Sequence, residues 1–218
     1  MRILHKEYFS CYSHAVGALL GFVGSVALAV ISAKSGFILA VALIYGISIT
    51  VLFTCSALYH AKKRSDNEKT IWRRLDHFAI FLMIAGTYTP MSYIYLEGGW
   101  RWGIIIAQWS LVLLGFFFKL VFFHAPRYIS TTVYLVMGWM SLLVIGKIID
   151  SMDTFSLSAL ITGGVFYTIG AIIYMFKKPD PFPERVGFHG VFHIFILLGG
   201  ISHYCLIANA ILIAIGRQ

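Results

Sequence analysis

Residues 185–204 read RVGFHGVFHIFILLGGISHY, three histidines set in a stretch that is otherwise apolar enough to cross a membrane. The apolar run carries on to residue 215, and runs of about the same length recur along the whole chain. Of the 218 residues, 59% are hydrophobic and only 12% charged, against about 25% charged in an ordinary soluble domain. A run of about 20 apolar residues spans a hydrocarbon core of about 30 Å as a helix. The short alternating segments of a transmembrane β-barrel are absent from the sequence. The expected fold is therefore an all-α integral membrane protein, a seven-transmembrane-helix bundle with spans near 14–33, 37–59, 77–96, 102–122, 128–149, 157–176 and 188–215. Connections between spans are short, so residues 1–218 are expected to form one transmembrane domain.

The net charge of +8 follows topology rather than nucleic acid. With the loop AKKRSDNEKTIWRR (61–74) placed in the cytoplasm, thirteen of the Lys and Arg residues fall on the inner side. Only Lys34, Arg101, Lys147 and Arg217 fall outside. That bias predicts a cytoplasmic N terminus and an outside C terminus, with basic loops against anionic headgroups and no nucleic-acid partner. The triplet ALA at 27–29 resembles a signal-peptide cleavage site, but the apolar run continues through Val30 and Ile31, and cleavage would leave six spans. Cys11, Cys55 and Cys205 lie in separate segments without metal-ribbon spacing, so neither disulfides nor a zinc ribbon is expected.

Ionisable groups inside a span cost about 2.5–3.5 kcal/mol at a helix centre and need partners. Depth supplies some here. His60 ends span two beside Lys62, Asp76 opens span three after Arg73 and Arg74, and His189 and His193 open span seven after Arg185. Three helices thus bring four such groups to one layer at the inner edge. His189 and His193 are four residues apart, which puts their Cβ atoms about 5–6 Å apart on one face, near enough to hold one ion. The zincin motif uses the same offset with a glutamate beside the first histidine; HGVFH has glycine there, so a base must come from another helix, and Asp76 is placed to be it. Ser56, one turn before His60, can hydrogen-bond a ligand or water. Three imidazoles suit Zn²⁺ and leave a fourth position open, the pattern of catalytic rather than closed structural sites. Spacing and depth fit a second account too, since histidines at helix ends are commonly interfacial or hydrogen-bonded residues.

The remaining polar residues read more plainly. His77 points about 100° away from Asp76 around its helix, which suits packing. Glu7 and His14 read as interfacial, with a place behind the histidine site as the alternative. His203, about 21 Å deeper than His189, cannot share its ion and is expected to be a buried hydrogen-bonded residue, or else a step in a path. His5 and His124 read as surface residues, Asp150 and Asp153 as solvated loop residues, and Trp72, Tyr93, Tyr95, Trp100 and Trp102 as interfacial anchors. Pro90 in GTYTP (86–90) should bend span three, with Thr87 or Thr89 satisfying the freed carbonyls.

The blocks EYFSCYSH (7–14), SALYH (56–60), LDHFAIFLMIAGTYTP (75–90), GWMSL (138–142) and HGVFH (189–193) resemble, in order, the signatures of the bacterial hemolysin III proteins. That group is the prokaryotic branch of the progestin and adiponectin-Q receptor superfamily, itself similar to the alkaline ceramidases. The resemblance implies a seven-helix bundle in the bacterial inner (cell) membrane with its N terminus inside. It also implies a zinc site of His60, His189 and His193, with Ser56 and Asp76 beside it. Ser10 stands where the first block often carries asparagine. The resemblance suggests hydrolysis of lipid amides and, from the historical name, cytolysis; with the open three-histidine site the expected function is hydrolysis of a lipid amide or ester in membrane lipid homeostasis, the alternative being a zinc-stapled lipid sensor without turnover. For cytolysis, the residues show no soluble-to-membrane switch.

Overall fold

The structure is a computed structural model that describes residues 3–65, 68, 70–121 and 126–217, with the side chains of all of these except 118–121. Arg2, Lys69, His124 and the Lys119 side chain lie outside that description. The described residues contain helices and no strand: α1 (Tyr8–Ser32), α2 (Gly36–Lys62), α3 (Ile71–Tyr95), α4 (Gly98–Val121), α5 (Arg127–Gly138), α6 (Ile145–Ser151), α7 (Thr154–Phe176) and α8 (Gly187–Gly216). Counted by length and hydropathy they make seven candidate membrane spans of 20 to 30 residues, α5 and α6 together forming the fifth. The chain is a seven-helix membrane bundle.

Helix ends are set by local chemistry. The Asp153 carboxylate caps α7 by accepting from Ser156 N at 3.0 Å, and the Thr70 hydroxyl accepts from Arg73 N at the start of α3. At the first residue of α8, Gly187 takes φ +60°, a conformation costly for any residue with a Cβ, and the Asp180 carboxylate accepts from Phe188 N at 2.6 Å. Between helices, small residues allow close approach, as in other membrane bundles. Ser25 of α1 donates to the Gly46 carbonyl of α2 at 2.8 Å. At Gly86 of α3 an added Cβ would collide with the Ser48 side chain of α2. Gly86→Ala is therefore expected to cost about 1–3 kcal/mol through overpacking, read as a lowered midpoint in thermal unfolding of the detergent-solubilised protein. An unchanged midpoint would mean that α2 and α3 can separate without cost.

Span five departs from the single helix expected over 128–149. It breaks at Gly138 into a 3₁₀ stretch, Trp139–Val144, before α6. A break inside a membrane leaves backbone groups that other atoms must satisfy, and two side chains do so. The Tyr88 hydroxyl donates to Gly138 O and accepts from Ser141 N, both at 2.7 Å, while Gln108 Nε2 donates to Met137 O at 2.9 Å. Span three differs too. Pro90 lies within α3, but Thr87 and Thr89 donate to Met83 O and Ala85 O, their own i−4 carbonyls, both at 2.8 Å, not to the carbonyl of residue 86 that proline frees.

Tyr95 and Asp153 also correct their sequence reading. Tyr95 is buried rather than interfacial; its hydroxyl pairs with Ser156 Oγ at 2.7 Å, and Asn209 Nδ2 donates to Asp153 Oδ2 at 3.1 Å and to Ser156 Oγ at 3.0 Å. This polar knot ties α3, α7 and α8 together at the end of the bundle far from His60. Below it the largest apolar core packs Leu28, Tyr45, Met91, Ile148, Leu206, Ile207 and Ile211. Toward His60 this core gives way to a mixture of polar residues and apolar ones such as Leu52 and Met83.

Candidate metal centre

The last turns of α2 carry His60 and the first turns of α8 carry His189 and His193. Their ring nitrogens converge. His60 Nε2 lies 3.2 Å from His189 Nε2, which lies 3.1 Å from His193 Nε2, and one ligand atom from each of the three falls within 4.8 Å of the others. His60 and His193 are each 1% exposed. Three imidazole nitrogens facing one another in a buried space fit a shared cation, because a neutral ring offers a lone pair on one nitrogen and a proton on the other. The triad is close enough to hold one metal ion.

Glu7 fixes which nitrogen of His60 faces inward. Its Oε2 accepts from His60 Nδ1 at 2.6 Å, so the Nδ1 proton points at the carboxylate and the Nε2 lone pair at the other two rings. The other oxygen accepts from Lys63 Nζ at 2.6 Å, which compensates the charge of a carboxylate that is 4% exposed. Carboxylate–histidine pairs of this kind orient metal ligands, and losing the carboxylate typically costs 10–100-fold in affinity. Glu7→Gln is expected to weaken metal binding by about that factor, measured by competition with a chelator of known affinity. Wild-type retention would show that the pair only packs.

His14 is buried as well. Its ring stacks on His193 with centroids 3.6 Å apart and planes 21° from parallel, and meets Phe53 edge-on at 5.0 Å. Neither of its ring nitrogens makes a hydrogen bond of good geometry. The interfacial reading of Glu7 and His14 is thus corrected: both sit behind the triad. The sequence did carry a signal, since Ser10, Cys11, His14, Gly17 and Gly21 are all buried in α1 and recur at the three- and four-residue spacing that marks one helix face.

A cavity of about 670 Å³ opens beside the triad, within the range of about 300–1,000 Å³ usual for small-molecule sites. His189, His193, Asp76 and Ser56 line it, along with apolar residues such as Leu52, Ile80, Met83 and Phe192. Asp76 is only half-buried by exposure, yet what it faces is this enclosed space, with the Ser56 hydroxyl beside it. Ser56 and Asp76, from α2 and α3, thus line the same cavity as the two α8 histidines. His77 also lines the cavity, while its carbonyl accepts from the Tyr134 hydroxyl at 3.1 Å. His203 reaches the cavity from deeper in α8, half-buried, with Nε2 3.3 Å from Leu160 O, so the hydrogen bond expected of it is present while full burial is not. Trp139, Leu142, Ile145, Ile149 and Ile161 both line the cavity and are exposed on the bundle surface, so it opens sideways between the broken span and α7, where lipid would lie. His5 is exposed, and the three cysteines are unpaired.

Comparison with known proteins gives the same answer as the blocks around these residues. A family profile described as Haemolysin-III related matches residues 2–204. The chain belongs to the haemolysin-III family. Hemolysin-3 of Bacillus cereus is 32% identical to it over 209 residues, covering 94% of this chain and 92% of that protein. The hemolysin-3 homolog of Bacillus subtilis (strain 168) is 32% identical over 206 residues, covering 94% and 93%. This haemolysin-III protein is accordingly a multi-pass membrane protein with a histidine triad able to hold a metal ion.

Proposed function

We propose that this protein is a zinc-dependent hydrolase of lipid amide or ester bonds, acting in membrane lipid homeostasis from the bacterial cell membrane, with its N terminus and the triad end on the cytoplasmic side. One arrangement carries the reading: three imidazole nitrogens that converge beside a lipid-sized cavity, with a separate carboxylate, Asp76, lining the same cavity. Three nitrogen ligands suit zinc over harder cations, and zinc, when bound there, supplies a Lewis acid for a carbonyl and acidifies water. The chain's own residues do the rest. His60, His189 and His193 hold the ion, and Glu7 keeps His60 in the tautomer that ligates. Asp76 takes a proton from the attacking water and returns it to the leaving nitrogen or oxygen, oriented by Ser56. The apolar wall holds the acyl chain and the sideways opening admits it from the bilayer.

The test is turnover by the purified, zinc-loaded protein in lipid vesicles across a panel of acyl amides and esters. Release of fatty acid that stops on chelation and returns with zinc supports the proposal; no release from any member rejects it. A second reading has its own support, because an ion on the triad would join α2 to α8: zinc would then set the stability of a lipid sensor that turns nothing over. It requires chelation to lower the unfolding midpoint while every panel member stays intact. The relatives are named hemolysins, and for that activity intact sealed vesicles should leak when protein is added from outside.

A further inference from the structure

Of the charged residues described along the cavity, two are cations, Arg73 and Arg127, and one is a carboxylate, Asp76. Membrane topology explains basic residues on the outside of a bundle end, but gives no reason to aim two of them inward. Arg127 is held in place. Its guanidinium lies 5.1 Å from the Tyr174 ring centre and 5.8 Å from that of Phe188, and Nη1 donates to Tyr174 O at 3.3 Å. Tyr174 in turn lies 5.8 Å, ring to ring, from His189. Arg73 opens α3 one turn before Asp76, on the same face. Two guanidinium groups from α3 and α5 therefore line the cavity at the end that holds the triad, Arg73 Nη1 also donating to Glu68 O at 3.4 Å, while Glu7 and Lys63 pair behind it. The described side chains that line the cavity thus include one more guanidinium than carboxylate.

Guanidinium forks match anionic oxygens with paired, charge-assisted hydrogen bonds, and a phosphate offers three acceptor oxygens to donors arriving from two sides. We propose that Arg73 and Arg127 clamp the phosphate of an acyl lipid whose chain lies in the cavity, so that the ligand class is phosphate-bearing acyl lipids rather than neutral ones. The clamp rests on the hydrolase reading for its role in substrate choice, but as a binding site it stands independently of turnover.

The experiment measures binding, by calorimetric titration of the full chain in non-ionic detergent, of oleoyl lysophosphatidic acid and of monooleoylglycerol, which lacks the phosphate. Wild type is expected to bind the acyl phosphate at least tenfold more tightly. The preference should persist after chelation, fall in Arg127→Gln and in Arg73→Gln, and partly return in Arg127→Lys, while affinity for monooleoylglycerol stays within twofold. Equal affinities in wild type, a preference that survives in the double variant, or a preference lost on chelation would each overturn the clamp, the last by placing the phosphate on the metal. Inorganic phosphate that displaces the acyl phosphate at equal concentration would overturn it too, since the ligand would be a free ion. Should the glutamine variants fail to fold, the wild-type arms and Arg127→Lys decide. The two failures are separable: a preference without any turnover rejects the hydrolase alone, and turnover of neutral amides without a preference rejects the clamp alone.

Discussion

Replacing His60 and His193 together by alanine is expected to take metal content from about one ion per chain to none, as measured by elemental analysis of the purified protein. Two of three ligands would be gone, each from a different helix, and the remaining His189 offers a single imidazole. A single outer carboxylate already changes affinity by about 10–100-fold, so removing two ligands should exceed any affinity that survives purification. Stability should fall as well. An ion that binds only the folded state contributes RT ln(1 + [L]/Kd), about 4 kcal/mol when its concentration is 1,000 times Kd. Wild type with chelator should then unfold at the lower midpoint, and the double variant should be insensitive to chelator. Undiminished metal in the variant would remove the triad from the site altogether.

Asp76→Asn carries the second large effect. The substitution keeps the size of the side chain and one carbonyl oxygen beside Ser56, but removes the ability to take a proton. If Asp76 is the general base of the proposed reaction, turnover should drop by about 10²–10⁴-fold while metal content stays at the wild-type value. That split separates chemistry from metal holding. Loss of both would make Asp76 a partner of the ion, and loss of neither would leave it a structural carboxylate in a polar wall.

Depth was legible in the sequence and rotation was not. The ends of apolar runs put His60, Asp76, His189 and His193 at one level, and a four-residue offset put two of them on one face, but hydropathy left an interfacial account open and the family resemblance was what singled out the triad. Glu7 and His14 lay at the right level as well. Placing them behind the triad required knowing which way α1 turns about its own axis, and packing against α2 and α8 decides that. The buried stripe from Ser10 to Gly21 fixes the turn, but it reads as a face only when small and polar residues are counted as inward-facing in a membrane helix, the reverse of the soluble rule. The break in span five was hidden for another reason. Nothing apolar marks it, because the groups that stabilise it, Tyr88 and Gln108, are supplied by α3 and α4. Tyr95 and Asp153 were misplaced in the same way: each looked complete at its own helix end, while the partner of Tyr95, Ser156, stands on α7 and that of Asp153, Asn209, on the last helix.

The separation of the ligands along the chain has a consequence for how the protein is made. His60 and His189 are 129 residues apart, and synthesis at about 5–20 residues per second leaves an interval of roughly 6 to 26 s in which the first ligand exists without the others. Glu7 and His60 both belong to the first two spans, so their pair needs no later helix to form. The pocket for the ion closes only when the final helix enters the bilayer. Capture of an ion by the triad would therefore be a late event in biogenesis, and a nascent chain stalled before its last span would carry one of the three ligands without the other two.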